Sequence, residues 1–221
     1  MQFNELNQNY KNSIMLWLLA LTVMVFLIII IGGLTRLTDS GLSMVDWRPI
    51  LGILPPFNNN QWLDVFNDYK LTPEFLYVNK NMTLEEFKYI FWWEWFHRFF
   101  ARLIGLVFII PFFYFLVKKH LNSFFYKRFF IIFSLGLFQA LVGWWMVKSG
   151  LSEDPYVSPY RLTFHLTNAV IIYALLLWTS IEYYHSKSAN FISFKSKNDL
   201  ILISIILVFI TILSGGFMAG S

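Results

Sequence analysis

Cysteine is absent from the 221-residue sequence, which excludes a structural disulfide, a thiolate metal site and a cysteine-held iron–sulfur cluster. Any metal chemistry must use histidine, carboxylate or a bound cofactor. Charge is scarce as well: 14% of the residues are Asp, Glu, Lys or Arg, against about 25% in a typical soluble domain. In their place stand 57% hydrophobic and 20% aromatic residues, gathered into blocks rather than spread with a surface-helix period. That arrangement separates membrane spans from a large soluble core.

Five blocks reach the roughly 20 residues a helix needs to cross the hydrocarbon layer: residues 14–34, 91–117, 129–147, 162–184 and 200–219. Helices are expected throughout, because lipid offers backbone polar groups no partner and the short alternating strands of a barrel are missing. Lys118, Lys119, Lys127 and Arg128 lie between spans two and three, and Lys187, Lys195 and Lys197 between spans four and five; both loops belong on the cytoplasmic side. Residues 35–89 carry five Lys or Arg against seven Asp or Glu and belong outside, so the amino terminus is cytoplasmic. The polar first 13 residues enter span one with no small-residue cleavage pattern after it, and no arginine precedes Arg36. These features read as an uncleaved first span in a bacterial inner membrane. Pro49, Pro55, Pro56 and residues 58–60 break the long outer loop, which reads as a folded cap with short helices, and Thr83 with Glu86 reads as a capping box opening span two.

Span two opens with Glu94, His97, Arg98 and Arg102 in an otherwise apolar helix, where ionisable groups are costly and turn toward protein interior. Helical spacing puts Glu94, His97, Ala101 and Gly105 on one face, a surface a flat ligand can press against. Span four begins with Arg161 and His165 one turn apart. Spans two and four run in the same direction, so the two imidazoles fall at similar depth, the geometry for holding one iron between two helices. Taken singly, each histidine reads as a hydrogen-bonded packing residue; the matched pair favours ligands. Glu94 and Arg98 also suit a simple i,i+4 ion pair. The arginines suit haem propionates or, equally, snorkelling to headgroups. His120 and His185 lie in the basic loops and read as solvated. Gly136, Ala140 and Gly143 form a small-residue packing stripe in span three, and Trp144 with Trp145 an interfacial belt.

Gly32-Gly33-Leu34-Thr35-Arg36-Leu37-Thr38, Ser40-Gly41-Leu42-Ser43-Met44, Gly52-Ile53-Leu54-Pro55-Pro56, Glu86 to Phe91, Glu94 to Arg98, Gly143-Trp144-Trp145-Met146-Val147, Ser149-Gly150-Leu151, Tyr160-Arg161-Leu162 and His165-Leu166 together resemble the haem A synthase family, in the family's order and over nearly the whole chain. The cysteine-free outer loop is similar to that of the branch in which this loop is longer. The resemblance implies an enzyme for terminal oxidase assembly that oxidises a ring methyl of haem O to a formyl group, giving haem A. It implies His97 and His165 as iron ligands of the substrate haem and Glu94 as a catalytic carboxylate, which stabilises positive charge or takes a proton. Arg36, Arg98, Arg102 and Arg161 are the propionate candidates. Two imidazoles would fill both axial positions, so oxidation would occur at the edge of the macrocycle. The implied partners are haem O, the haem O synthase that supplies it, the lipid bilayer and a homo-oligomer; no nucleic acid is expected.

The fold expected is an all-α integral membrane protein: a four-helix transmembrane bundle over residues 1–184, with its outer loop at 35–90, and over residues 185–221 a cytoplasmic loop and the first helix of a second, truncated bundle. Ile212-Leu213-Ser214-Gly215-Gly216-Phe217 echoes Ile29-Ile30-Ile31-Gly32-Gly33-Leu34, as though a repeat were beginning. The resemblance departs here, since family members are similar to a tandem of two units, the second holding a haem B cofactor. The chain therefore reads as a fragment, with haem B expected in the missing half and activity alone in doubt. Two other functions compete: a bis-histidine membrane b-type cytochrome that only carries electrons, which leaves Glu94 without a task, and a transporter with a Glu–His proton relay, which needs an aqueous path.

Overall fold

The computed structural model describes residues 8–46, 53–121, 123–152, 154–187 and 199–220. Pro49, Gly52, Lys195 and Lys197, read above as loop breaker, motif residue and basic-loop charges, lie outside the described residues, as does the side chain of Lys187. Seven helices are described: α1 (Gln8–Leu37), α2 (Asn59–Tyr69), α3 (Pro73–Tyr77), α4 (Leu84–Val117), α5 (Ser123–Gly150), α6 (Pro159–Lys187) and α7 (Asp199–Gly220). Five of them are long and apolar enough to cross a membrane, and the chain is a multi-pass membrane protein of all-α class. The helices overrun the apolar blocks by several residues, because backbone hydrogen bonding continues into the interfacial layers on both sides.

Local chemistry sets the ends. Thr83 caps α4 through its side chain and Glu86 returns the bond to the Thr83 N–H at 2.7 Å, completing the capping box. At the other end Lys119 takes a left-handed φ of 55°, so that His120 N–H reaches Phe115 O at 3.0 Å and Lys119 N–H reaches Leu116 O at 3.0 Å. Asp39, at φ 46°, ends α1 the same way, with Ser40 N–H on Thr35 O at 3.0 Å. Both ends satisfy carbonyls that a helix terminus otherwise leaves bare. Within α4, Pro111 has no N–H to offer Val107 O. Trp17 of α1 supplies the missing donor, its Nε1 lying 2.7 Å from that oxygen. A helix break thus becomes an interhelical bond.

α1 packs against both α4 and α6, α5 against α6, and α7 against α6, so α4 and α6 occupy opposite corners of the bundle. Two separate apolar clusters hold it together. One fills the half near the α4–α5 turn and joins Trp17, Leu18 and Leu21 to Phe108, Phe112, Phe129 and Leu176. The other forms the cap, where Trp62, Phe66 and Tyr69 of α2 rest on Phe87, Ile90 and Phe91 at the start of α4. The short helices expected in the long loop are α2 and α3. On α7, Gly216 and Gly220 let the backbone approach α6: a Cβ on Gly216 would lie 3.0 Å from Thr163 Cα, and one on Gly220 2.6 Å from Pro159 Cα. Between the two clusters runs a layer that belongs to neither, and Glu94, His97, Arg98 and Arg102 of α4 and His165 of α6 lie in it.

Candidate functional site: a polar layer between two apolar clusters

Glu94, His97 and Arg98 stand on the third and fourth turns of α4, below the cap. Glu94 is 2% exposed and fully engaged. Its Oε2 accepts from Ser43 Oγ at 2.7 Å and from Met44 N–H at 2.9 Å, and its Oε1 accepts from Arg98. Arg98 also donates to Met44 O at 3.1 Å. The i,i+4 pair read from the sequence is therefore present, and it does more than neutralise two charges: it pins the loop after α1 onto α4. A buried carboxylate is tolerable when its charge is paired and its lone pairs are met by N–H and O–H donors.

The two histidines meet glycines. A Cβ on Gly32 of α1 would lie 3.4 Å from His97 Nε2, and one on Gly143 of α5 would lie 3.0 Å from His165 Cε1. A side chain on Gly143 would press on the His165 ring, whereas a Cβ on Gly32 would make ordinary van der Waals contact with His97. The stripe read as packing in α5 thus contributes one residue to the layer, Gly143, while nothing among the described residues comes within 4 Å of a Cβ placed on Gly136. Beside Gly105, one turn below Ala101, a Cβ would likewise meet no described atom within 4 Å.

The arginines divide. Arg98 serves Glu94. Arg36 donates to Asp39 Oδ1 at 2.6 Å and to Ala219 O at the end of α7. Arg161 donates to Trp145 O at 2.8 Å and lies over the Trp145 ring, 4.6 Å from its centre. Arg102 lies one turn beyond Arg98 on α4. His120, at the far end of the bundle, stacks on Tyr10 with ring centres 3.7 Å apart. A hollow of about 360 Å³ is lined by Tyr89, Trp92, Trp93 and Phe96 of α4.

Three polar groups went unread in the sequence. Gln139 of α5 contacts His165, and Asn168 of α6 donates to Gln139 Oε1 at 2.6 Å. Both are neutral amides inside apolar spans, the one sign by which the sequence sets them apart. Glu74 of α3 sits in an acidic loop segment that suggests solvent, yet it is only 7% exposed. It accepts from Tyr69 Oη at 2.9 Å, and that oxygen accepts from Asn79 Nδ2 at 2.8 Å. Burial pushes the Glu74 carboxyl up to about 7; the Tyr69 hydrogen bond opposes the shift, and the charges of Glu94 and Asp39 add to it. Burial, with the nearby Glu74 charge, also raises the Tyr69 hydroxyl.

The folded chain therefore holds a proton on Glu74 that an unfolded carboxyl gives up near 4.5. Its contribution is present in full below that value and is lost as pH rises toward about 7. The cap is expected to lose on the order of 3 kcal/mol of stability across this window, at about 1.4 kcal/mol per pH unit. Limited proteolysis of the cap as a function of pH checks it. Glu74→Gln should flatten the dependence, and equal slopes in the two proteins would refute the assignment.

The family model for cytochrome oxidase assembly protein matches residues 15–221. The haem A synthase of Nitrosospira multiformis is 48% identical over 213 residues, covering 95% of this chain and 60% of that protein. The chain belongs to the haem A synthase family. The family's haem A synthase from Nitrosomonas eutropha is 45% identical, with 98% of this chain and 62% of the relative covered, and that of Flavobacterium psychrophilum is 43% identical, with 95% and 62% covered. The chain thus spans about 60% of the length of these haem A synthases. No solved structure matches.

Proposed function

We propose that this chain is the part of a haem A synthase that binds haem O between α4 and α6 and holds one ring methyl for oxidation to the formyl group of haem A, making it an oxidoreductase acting in terminal oxidase assembly. The observation that carries the reading is the polar layer itself: His97 of α4 and His165 of α6 each lie against a glycine of a neighbouring helix, with the buried Glu94 three residues from His97. Imidazoles are the donors haem iron takes from a helical bundle. Two imidazoles held on the iron would leave the porphyrin edge as the place of reaction. There Glu94 would stabilise positive charge as an external oxidant takes electrons from the methyl, or would take its proton by giving up one of its three donors. Arg36, Arg98, Arg102 and Arg161 remain the cations available to the propionates.

Residues 1–184 form the substrate unit on this reading, and residues 185–221 open a second unit. That unit is where a haem B cofactor belongs, since the other histidines of this chain, His120 and His185, stand at the far end of the bundle. Lys118, Lys119, Lys127 and Arg128 gather at that end and the acidic cap at the other, which supports a cytoplasmic amino terminus in a bacterial inner membrane. Haem O arrives from a haem O synthase within the bilayer, and association into a homo-oligomer belongs to the same reading. When the chain is produced together with a second unit, Glu94→Gln is expected to leave haem bound but stop formyl formation, followed as haem A in solvent extracts. Undiminished haem A from that variant would take Glu94 out of the chemistry, and no haem A from the unaltered protein would leave a simple electron carrier.

A further inference from the structure

Gln139 is held in one orientation. Asn168 Nδ2 lies 3.5 Å from Leu135 O, which can only accept, so the Asn168 amide nitrogen faces α5 and donates to Gln139 Oε1 at 2.6 Å. The Gln139 nitrogen in turn donates to His165 O at 3.1 Å, again an oxygen that can only accept. The same nitrogen stands 3.2 Å from His165 Nε2. An amide nitrogen carries two hydrogens and no free lone pair, so the ring nitrogen facing it must be the acceptor. The His165 proton then sits on Nδ1, which is buried and has no hydrogen-bond partner among the described residues.

We infer that Gln139 competes with a haem iron for the Nε2 lone pair of His165, so that the site grips its porphyrin loosely enough to exchange substrate for product. This rests on the reading of His165 as an axial ligand. The lone pair that the Gln139 N–H occupies is the one an iron–imidazole bond requires. A histidine meant to hold a metal tightly donates its other N–H to a carbonyl or carboxylate, which makes the ring a stronger donor. Nδ1 of His165 lacks that help, so both features weaken the bond. A resident cofactor is served badly by such a ligand, whereas a porphyrin that enters, reacts and leaves is served well. Asn168 acts one step further back, by keeping the amide from turning its oxygen toward the ring.

Two substitutions at Gln139 act in opposite directions. Gln139→Met fills the same length with no N–H. Gln139→Glu keeps an acceptor for Asn168 but presents a second acceptor to Nε2, favouring the proton there and masking the lone pair. The chain, loaded with ferric haem B as probe, is mixed with excess apomyoglobin, and transfer is followed in the Soret band. Gln139→Met is expected to slow transfer by roughly 2- to 10-fold, the worth of one neutral hydrogen bond, and Gln139→Glu to speed it by a similar factor. Any result in which Gln139→Met fails to slow transfer overturns the inference, because loss of packing alone would hasten release in both variants. His165→Ala separates the levels: a spectrum and transfer rate unchanged in that variant would sink the ligand reading, whatever Gln139 does.

Discussion

Replacing either His97 or His165 by alanine is expected to abolish the bis-imidazole spectrum of the haem-loaded chain. The ring lost is one of only two in the polar layer; His120 and His185 stand at the far end of the bundle, so no described histidine can take its place. Changing a group that merely hydrogen-bonds a metal ligand already costs about 10- to 100-fold in affinity, so loss of the ligand itself should exceed about 100-fold. Optical titration with haem measures both effects. His120→Ala is the control and should leave spectrum and affinity alone, since that ring stacks on Tyr10 near the α4–α5 turn. Intact spectra in both His97→Ala and His165→Ala would end the ligand assignment.

The largest effect on stability is expected from Arg98→Met. Arg98 is the cation paired with Glu94, and the side chains of the two are 15% and 3% exposed. Removing one partner of a buried pair leaves the other charge uncompensated, a loss of about 3–5 kcal/mol, whereas exchanging both for neutral groups is close to neutral. Arg98→Met should therefore destabilise strongly, and adding Glu94→Gln should restore most of the loss, because glutamine still accepts from Ser43 and from the Met44 N–H. Thermal unfolding of the two single variants and the double variant in detergent checks this. Additive losses would mean that the pair contributes little, and that the Ser43–Met44 loop is held by other means.

The spans were legible because lipid enforces a one-dimensional code: blocks of apolar residues, with charge asymmetry in the loops. The capping box of Thr83 and Glu86 was legible because both residues lie within one turn. Glu94, His97 and His165 could be picked out because ionisable groups stand out against an apolar helix. What the sequence hid is what depends on contacts between distant segments. Nothing near Ser43 or Met44 announces that they close on a carboxylate 51 and 50 residues later. Gln139 and Asn168 carry no charge and so drew no notice, although their amides set the tautomer of His165. Glu74 looked like one more solvated acid because the burial that raises its proton affinity comes from the packing of α2 and α3 over the start of α4. Pro111 likewise predicts a broken bond, and only the fold reveals that Trp17 mends it.

The seat of α7 on α6 has a mechanical consequence. Gly216 meets Thr163 and Gly220 meets Pro159 with almost no side chain between the helices, and Thr163 precedes His165 by two residues. Where main chains touch, a sideways push has no flexible rotamer to absorb it, so tilting α7 must drag the first turn of α6 along. Arg36 adds a tether from α1 to the Ala219 carbonyl near the end of α7. Whatever leans on α7 is thereby geared to the imidazole of His165, like a lever resting directly on its load.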